Sequence, residues 1–225
     1  MTVWAPSDCG CHQLHVRQRV VLTGGPGAGK TAVLELARRH LCRHVDVLPE
    51  AASVLFSGGL RRGTTTGARA AAQRAIFHVQ RSLEAISDAE EHAALVVCDR
   101  GTVDGSAYWP SPGDFFAAMG TDREQELARY HTVIHLRTPP RSAYNHRNPL
   151  RTESSDEAAA IDERIAAVWE GHPRRFVIES TVSFLEKAHH AIALLEQEVP
   201  ACCRRSLRVE RRPAGDEAAP LPARR

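Results

Sequence analysis

The segment Gly24-Gly25-Pro26-Gly27-Ala28-Gly29-Lys30-Thr31 holds the most specific chemistry in this 225-residue chain. It fits G-x-x-x-x-G-K-[ST] without a mismatch, and it stands between a short apolar run and a helical pattern. Glycines let successive backbone N–H groups turn inward around a phosphate chain. A helix that starts where the loop ends aims its positive pole at the same anion. Lys30 can reach the β- and γ-phosphates of a nucleoside triphosphate, and the Thr31 hydroxyl can hold Mg²⁺. The plainer reading, a glycine-rich turn that only joins strand to helix, is set aside by the flanking context.

A second candidate position ends the apolar run Val96-Val97-Cys98-Asp99. An acid at the end of such a strand can hold Mg²⁺ through water. The residue after it is Arg100. Many hydrolysing motor ATPases place a glutamate there to activate water. Arginine stays protonated and cannot act as that base. No N-K-x-D guanine-reading motif occurs in the chain. Both features lean away from motors and small GTPases.

Asp99-Arg100 resembles the D-R pair of nucleoside and nucleotide kinases. That resemblance implies a short parallel sheet, a carboxylate after the second strand that contacts the phosphoryl acceptor, and an arginine that holds the substrate. It also implies a lid after the fourth strand whose arginines reach the transferring phosphate. Glu50 follows the second apolar run directly, and Arg137, Arg141, Arg147 and Arg151 follow the fourth. The combination of GGPGAGKT (24–31), LPEAA (48–52), the stretch from Cys98 to Pro110 and Asn148-Pro-Leu-Arg-Thr-Glu153 resembles the AAA-like ATP-binding domains of the NadR type, which are nicotinamide riboside kinase-like. This resemblance extends over roughly residues 19–199. Residue by residue it implies Lys30, Glu50, Asp99, Arg100, Arg147 and Arg151 as the catalytic set. The loop 24–31 would bind ATP, and Thr31 and Asp99 would hold Mg²⁺.

Each position outside the loop also has a structural reading. Glu50 could cap a helix that begins there, since acids favour helix N-termini. Arg100 could be a structural ion pair. Tyr108 and Trp109 could stack on a base, or they could close the core beneath their loop. The arginines at 147 and 151 could lie on a lid or on a solvated basic face. Cys9-Gly-Cys11-His12 with His15 has a C-x-C spacing tighter than the usual zinc spacing, and no second ligand pair of standard spacing follows. The adjacent Cys202-Cys203 suits zinc even less.

The elements that must position these groups follow from periodicity. Short apolar runs at 19–23, 44–48, 94–98, 132–136 and 175–178 predict strands, and helical spacing predicts helices over 31–41, 68–92, 156–169 and from about Thr181. The stripes are Ile76, Val79, Leu83 and Ile86 in the second helix, and Leu185, Ala188, Ile192, Leu195 and Val199 in the last. Wholly apolar strands alternating with helices predict an α/β fold: a three-layer P-loop NTPase with a five-stranded parallel sheet covered on both faces.

With 43% hydrophobic and 25% charged residues the chain can build an ordinary core, which argues against disorder throughout. Residues 1–18 are irregular, 19–199 form the expected domain, and 200–225 read as a basic, disordered tail. That tail begins with Pro200, and its last 25 residues hold seven arginines against three acids. The whole chain is only +2, so the body before it is slightly acidic, which argues against a nucleic-acid groove. The expected partners are a nucleoside triphosphate and a small-molecule acceptor. No uncharged apolar run approaches the ~20 residues that span a bilayer, and MTVWAPSDCG lacks the basic and apolar regions of a secretory signal. The expected location is cytoplasmic. The six cysteines do not read as a disulfide framework, because Cys42 and Cys98 lie inside apolar segments. A nucleotide-dependent switch without kinase activity is the alternative to a kinase.

Overall fold

The computed structural model describes residues 15–90, 93–110, 112–140, 154–180, 183–201 and 203–204. In chain order the elements are β1 (Gln18–Thr23), α1 (Lys30–His40), β2 (Val45–Leu48), α2 (Ala51–Ser57), α3 (Thr66–Glu90), β3 (Leu95–Asp99), α4 (Asp104–Ala107), α5 (Phe115–Ala118), α6 (Arg123–Ala128), β4 (Thr132–Leu136), α7 (Ser155–Val168), β5 (Arg175–Ile178) and α8 (Phe184–Glu198). All five expected strands are present. They form one sheet in the order β2-β3-β1-β4-β5, with every neighbouring pair parallel.

The pleat sends alternate residues of each strand to opposite faces. Val20, Leu22, Leu95, Val97, Ile134 and Leu136 pack against α1 and α8. Val21, Val96, Cys98 and Val133 face the other way, onto Phe77 of α3, Phe115 of α5, and Ile161 and Ile165 of α7. The molecule therefore has three layers. Both late helices begin with a reciprocal capping box, Ser154 with Glu157 and Ser183 with Glu186, which satisfies orphan amides of their first turns.

Register sets up the site. Leu22 pairs with Asp99 on one side of β1 and with Ile134 on the other. The segments that leave β1 and β3 therefore emerge together at the carboxyl edge. The winding reverses beside β1, with β2 and β3 on one side and β4 and β5 on the other. Ligands of open α/β sheets bind at that place.

Three expectations need correction. β5 is not covered on both faces: Phe176 and Val177 are 37% and 42% exposed, because β5 is the sheet edge and pairs only with β4. The expected apolar stripe of α3 faces the core only in part: Leu83 packs against it and Ile76 and Val79 are half-buried. Ile86 is 58% exposed, while Gln80, Glu84 and Ser87 are buried. That inward face is satisfied by polar contacts: Glu84 accepts from Gln80 Nε2 at 3.0 Å and from the Tyr130 hydroxyl at 2.8 Å, and it also binds Arg129. Leu185, placed on the inner face of the last helix, is 76% exposed, whereas Ala188, Ile192, Leu195 and Val199 are buried.

The boundary at residue 200 also shifts. A helical turn continues past it, with the Cys203 and Arg204 amides both donating to the Pro200 carbonyl, and Cys203 is fully buried in the core. The tail from 205 onward lies outside the described residues. So do Cys9, Cys11, His12 and most of the irregular N-terminal segment. Among the described residues, no helix is long and apolar enough to cross a membrane.

Candidate functional site

The phosphate loop leaves β1 and runs into α1. Gly24 has φ +133°, and a Cβ on it would stand 2.0 Å from the Leu136 carbonyl oxygen, so no other residue fits. Gly29 is the N-cap of α1 at φ 97° and offers no side-chain cap, which leaves the first-turn amides available to an anion. Lys30 folds back over the loop, its Nζ donating to the Gly24 carbonyl at 2.8 Å and the Gly25 carbonyl at 3.2 Å. Burial, and then the nearby Arg100 charge, pull its pKa down to about 8. Thr31 lies in the first turn of the same helix, exposed.

Asp99 closes β3 beside the loop. Its Oδ1 is buried and has no hydrogen-bond partner among the described residues. Burial raises its pKa to about 6, with Lys30 opposing and Glu50 adding to the rise. A carboxylate with an orphaned buried oxygen, next to a helix whose first turn carries a hydroxyl, suits a hard cation that takes oxygen ligands. Thr31 and Asp99 therefore fit Mg²⁺.

Glu50 and Arg100 meet across the same edge. Arg100 donates from Nε to Glu50 Oε1 at 2.7 Å, and its terminal nitrogen lies 3.4 Å from Asp104 Oδ1. Its guanidinium also lies over the Tyr108 ring, 5.6 Å from the centroid. Arg100 has φ 70°, a left-handed conformation that a non-glycine residue adopts at a cost, and such strain gathers at functional sites. The Arg100 amide donates to the Leu22 carbonyl at 3.1 Å, which anchors that backbone. Glu50 is the N-cap residue of α2, yet its side chain makes no capping bond. Its carboxylate takes the Ser53 hydroxyl at 2.5 Å and Arg100 instead. Burial would raise the Glu50 pKa, but the Arg100 and Lys30 charges together with these hydrogen bonds outweigh it and hold it at about 2.

Lys30, Glu50, Asp99 and Arg100 are thus close enough to shift one another's protonation. Arg137 is drawn towards α7, where it pairs with Asp162 at 3.2 Å and with Glu163. Arg141, Arg147 and Arg151 lie outside the described residues. Trp109 donates from Nε1 to the Gly113 carbonyl at 2.9 Å and packs edge-on to Phe115, so it closes the core beneath its loop.

Two acids support the site: Asp162, which sequence reasoning misses, and Asp104, which lies in the stretch 98–110 already marked in the sequence. Asp162 of α7 is buried and accepts from the Gly25 amide at 2.8 Å, His135 Nε2 at 2.8 Å and the Thr138 amide at 3.1 Å. It ties the phosphate loop to β4 and α7. Asp104 accepts from the Gly101 amide at 2.8 Å, from Trp169 Nε1 at 3.3 Å and from the Thr23 hydroxyl, fixing the loop after β3 to the end of β1. Asp162 belongs to no motif, and the contacts of both acids appear only once distant elements are assembled. A cavity of about 660 Å³ opens at the amino edge of the sheet instead, lined by Arg17, Arg19, Arg129 and Arg174. Those charges are already engaged by Asp88, Glu84 and Glu198, which leaves the loop edge as the stronger candidate.

Residues 19–187 match the model of a family described as AAA domain. No curated protein matches the sequence. Among solved structures, thymidylate kinase from Candida albicans superposes with a TM-score of 0.54 at 13% identity, over 81% of this chain and 92% of that one. At that identity the likeness speaks for a P-loop nucleotide-kinase-like fold. Neither likeness reaches the narrower NadR-type expectation.

Proposed function

The chain belongs to the AAA domain family, and from that premise we propose that it is an Mg-ATP-dependent phosphotransferase acting on a small, nucleoside-like acceptor in the cytoplasm. The observation that carries the reading is the Glu50–Arg100 pair, 2.7 Å apart and electrostatically coupled to Lys30 and Asp99 at the loop edge. A hydrolase needs a base at that edge to activate water. This site offers instead an arginine fixed by a carboxylate, which suits the holding of a second substrate.

Lys30 and the loop amides from Gly24 to Thr31 would hold the β- and γ-phosphates. Thr31 and Asp99 would hold Mg²⁺, which when bound neutralises charge that develops on the phosphates. With a pKa near 2, Glu50 stays ionised at working pH. It acts by orienting the acceptor hydroxyl and takes its proton only late in transfer. That suits phosphoryl transfer, whose loose transition state asks for positioning more than for a strong base. Arg100 would hold the acceptor, and Arg147 and Arg151 would serve as lid cations.

The test is incubation with Mg-ATP and a panel of metabolites, followed by mass spectrometry for a phosphorylated product. A phosphorylated nucleoside-like compound is expected. Slow hydrolysis with no acceptor modified would overturn the kinase reading and favour a nucleotide-dependent switch.

A further inference from the structure

A group of soft ligands lies away from the phosphate loop. Cys42 stands in the turn after α1, His44 directly precedes β2, and Cys203 belongs to the turn beyond α8. The sequence separates them by up to 161 positions, yet the two sulfurs and an imidazole nitrogen all lie within 4.8 Å of one another. Cys203 Sγ is 3.5 Å from His44 Nδ1. A zinc tetrahedron with Zn–S of about 2.3 Å and Zn–N of about 2.0–2.1 Å has an S···N edge of about 3.6 Å and an S···S edge of about 3.8 Å. The side chains therefore stand close to the spacing that three corners of such a shell require.

The surroundings suit a structural ion. Cys42 and Cys203 are 1% and 0% exposed, within the core layer that α1 and α8 form. His44 is half-buried, and the His15 ring meets it edge-on with centroids 6.0 Å apart, so a second imidazole borders the cluster. Thiolate and imidazole are the donors that select zinc over hard cations. The cluster sits at the amino end of β2, whereas the phosphate loop occupies the carboxyl edge of the sheet.

We propose that Cys42, His44 and Cys203 bind one zinc ion that clamps the turn after α8 to the connection between α1 and β2. On binding, both thiols release their protons and the imidazole binds in its neutral form, so affinity falls as pH is lowered. The ion does not take part in phosphate chemistry. The C-x-C-H segment at 9–12 drew attention in the sequence, but the cluster here is assembled from three distant places.

The test uses the full chain purified without chelator, with the ligands of the N-terminal segment removed by the double change Cys9→Ser and Cys11→Ser. Metal analysis should find about one zinc per chain. Absorption at the zinc edge should show two sulfur neighbours near 2.3 Å. Adding Cys42→Ser and Cys203→Ser should abolish stoichiometric zinc. Chelation should lower the melting temperature of the Cys9→Ser/Cys11→Ser chain while leaving nucleotide affinity within about twofold. Absence of bound metal, zinc without sulfur neighbours, zinc retained after loss of Cys42 and Cys203, or a metal-free Cys42–Cys203 disulfide would each overturn the proposal. The absorption measurement needs only the chain with Cys42 and Cys203 intact, so a misfolded variant does not leave the matter open.

Discussion

Lys30 is a buried ammonium waiting for an anion, and its protonation has a consequence for stability. Its pKa is about 8 in the folded chain against 10.5 for the free side chain. Between those values the unfolded chain binds more protons, so the Lys30 contribution to stability rises with pH from about 8 to 10.5. Below pH 8 the buried charge is a steady penalty. Lys30→Met should therefore be more stable than the parent at pH 7 without ligand, by on the order of 1–3 kcal/mol, with the gap closing by pH 10. Denaturant titration at the two pH values checks this, and a variant less stable at pH 7 would show that the bonds to the Gly24 and Gly25 carbonyls outweigh desolvation. The same variant should lose most of its ATP affinity. Asp99 behaves in the opposite sense. Its folded pKa is about 6 against 3.8, so its contribution to stability falls as pH rises through that window. A cation bound there must displace the proton below pH 6. Mg²⁺-dependent nucleotide binding should accordingly weaken from pH 7 to pH 5, approaching tenfold per pH unit at the acid end, and Asp99→Asn should flatten the dependence in calorimetric titrations.

At the scale of elements, sequence reasoning worked where periodicity is local. All five strands and the four long helices were visible as apolar runs and stripes. The short α4, α5 and α6, of 4, 4 and 6 residues, fall below the window in which a 3.6-residue period can be recognised. The α3 stripe misled in part, because its inward face also meets Tyr130, which brings a hydroxyl, and Arg129, which brings a charge; Glu84 answers both. Asp162 was silent for the same reason: its three donors come from the phosphate loop, β4 and the residues after it. The turn after α8 shows how far an apolar count reaches. Nothing after Pro200 repeats at helical spacing, yet Cys203 is fully buried. A chain ending at Pro200 should therefore melt several degrees below one ending at Arg204, since ~1 kcal/mol corresponds to about 2–4 °C at this size. Equal melting temperatures, both measured with chelator present, would place the stabilising boundary at residue 200 after all.

Across the whole molecule, the phosphate loop was legible from one motif, while the meeting of Glu50 with Arg100 required the sheet order. β3 lies between β1 and β2, so residues that follow three different strands converge on one edge. Ligands there bind the assembled fold and not the unfolded chain, so they should stabilise the entire cooperative unit. At one hundred times its dissociation constant, Mg-ATP should add about 2.7 kcal/mol. That is a rise in melting temperature of about 5–11 °C for a domain of this size. Lys30→Ala should abolish the rise. Glu50→Gln should keep it, because the amide preserves size and hydrogen bonding and the phosphates are held elsewhere. An acceptor found by the metabolite screen should add a second increment to the parent bound to a non-hydrolysable ATP analogue. Glu50→Gln and Arg100→Ala should each lose that second increment, and phosphoryl transfer should fall by roughly two orders of magnitude or more. If both variants keep the second increment and normal turnover, the Glu50–Arg100 pair is a structural brace and the acceptor binds elsewhere. If Glu50→Gln loses the ATP increment as well, the pair shapes the phosphate site itself, and loop and pair do not divide phosphate and acceptor between them.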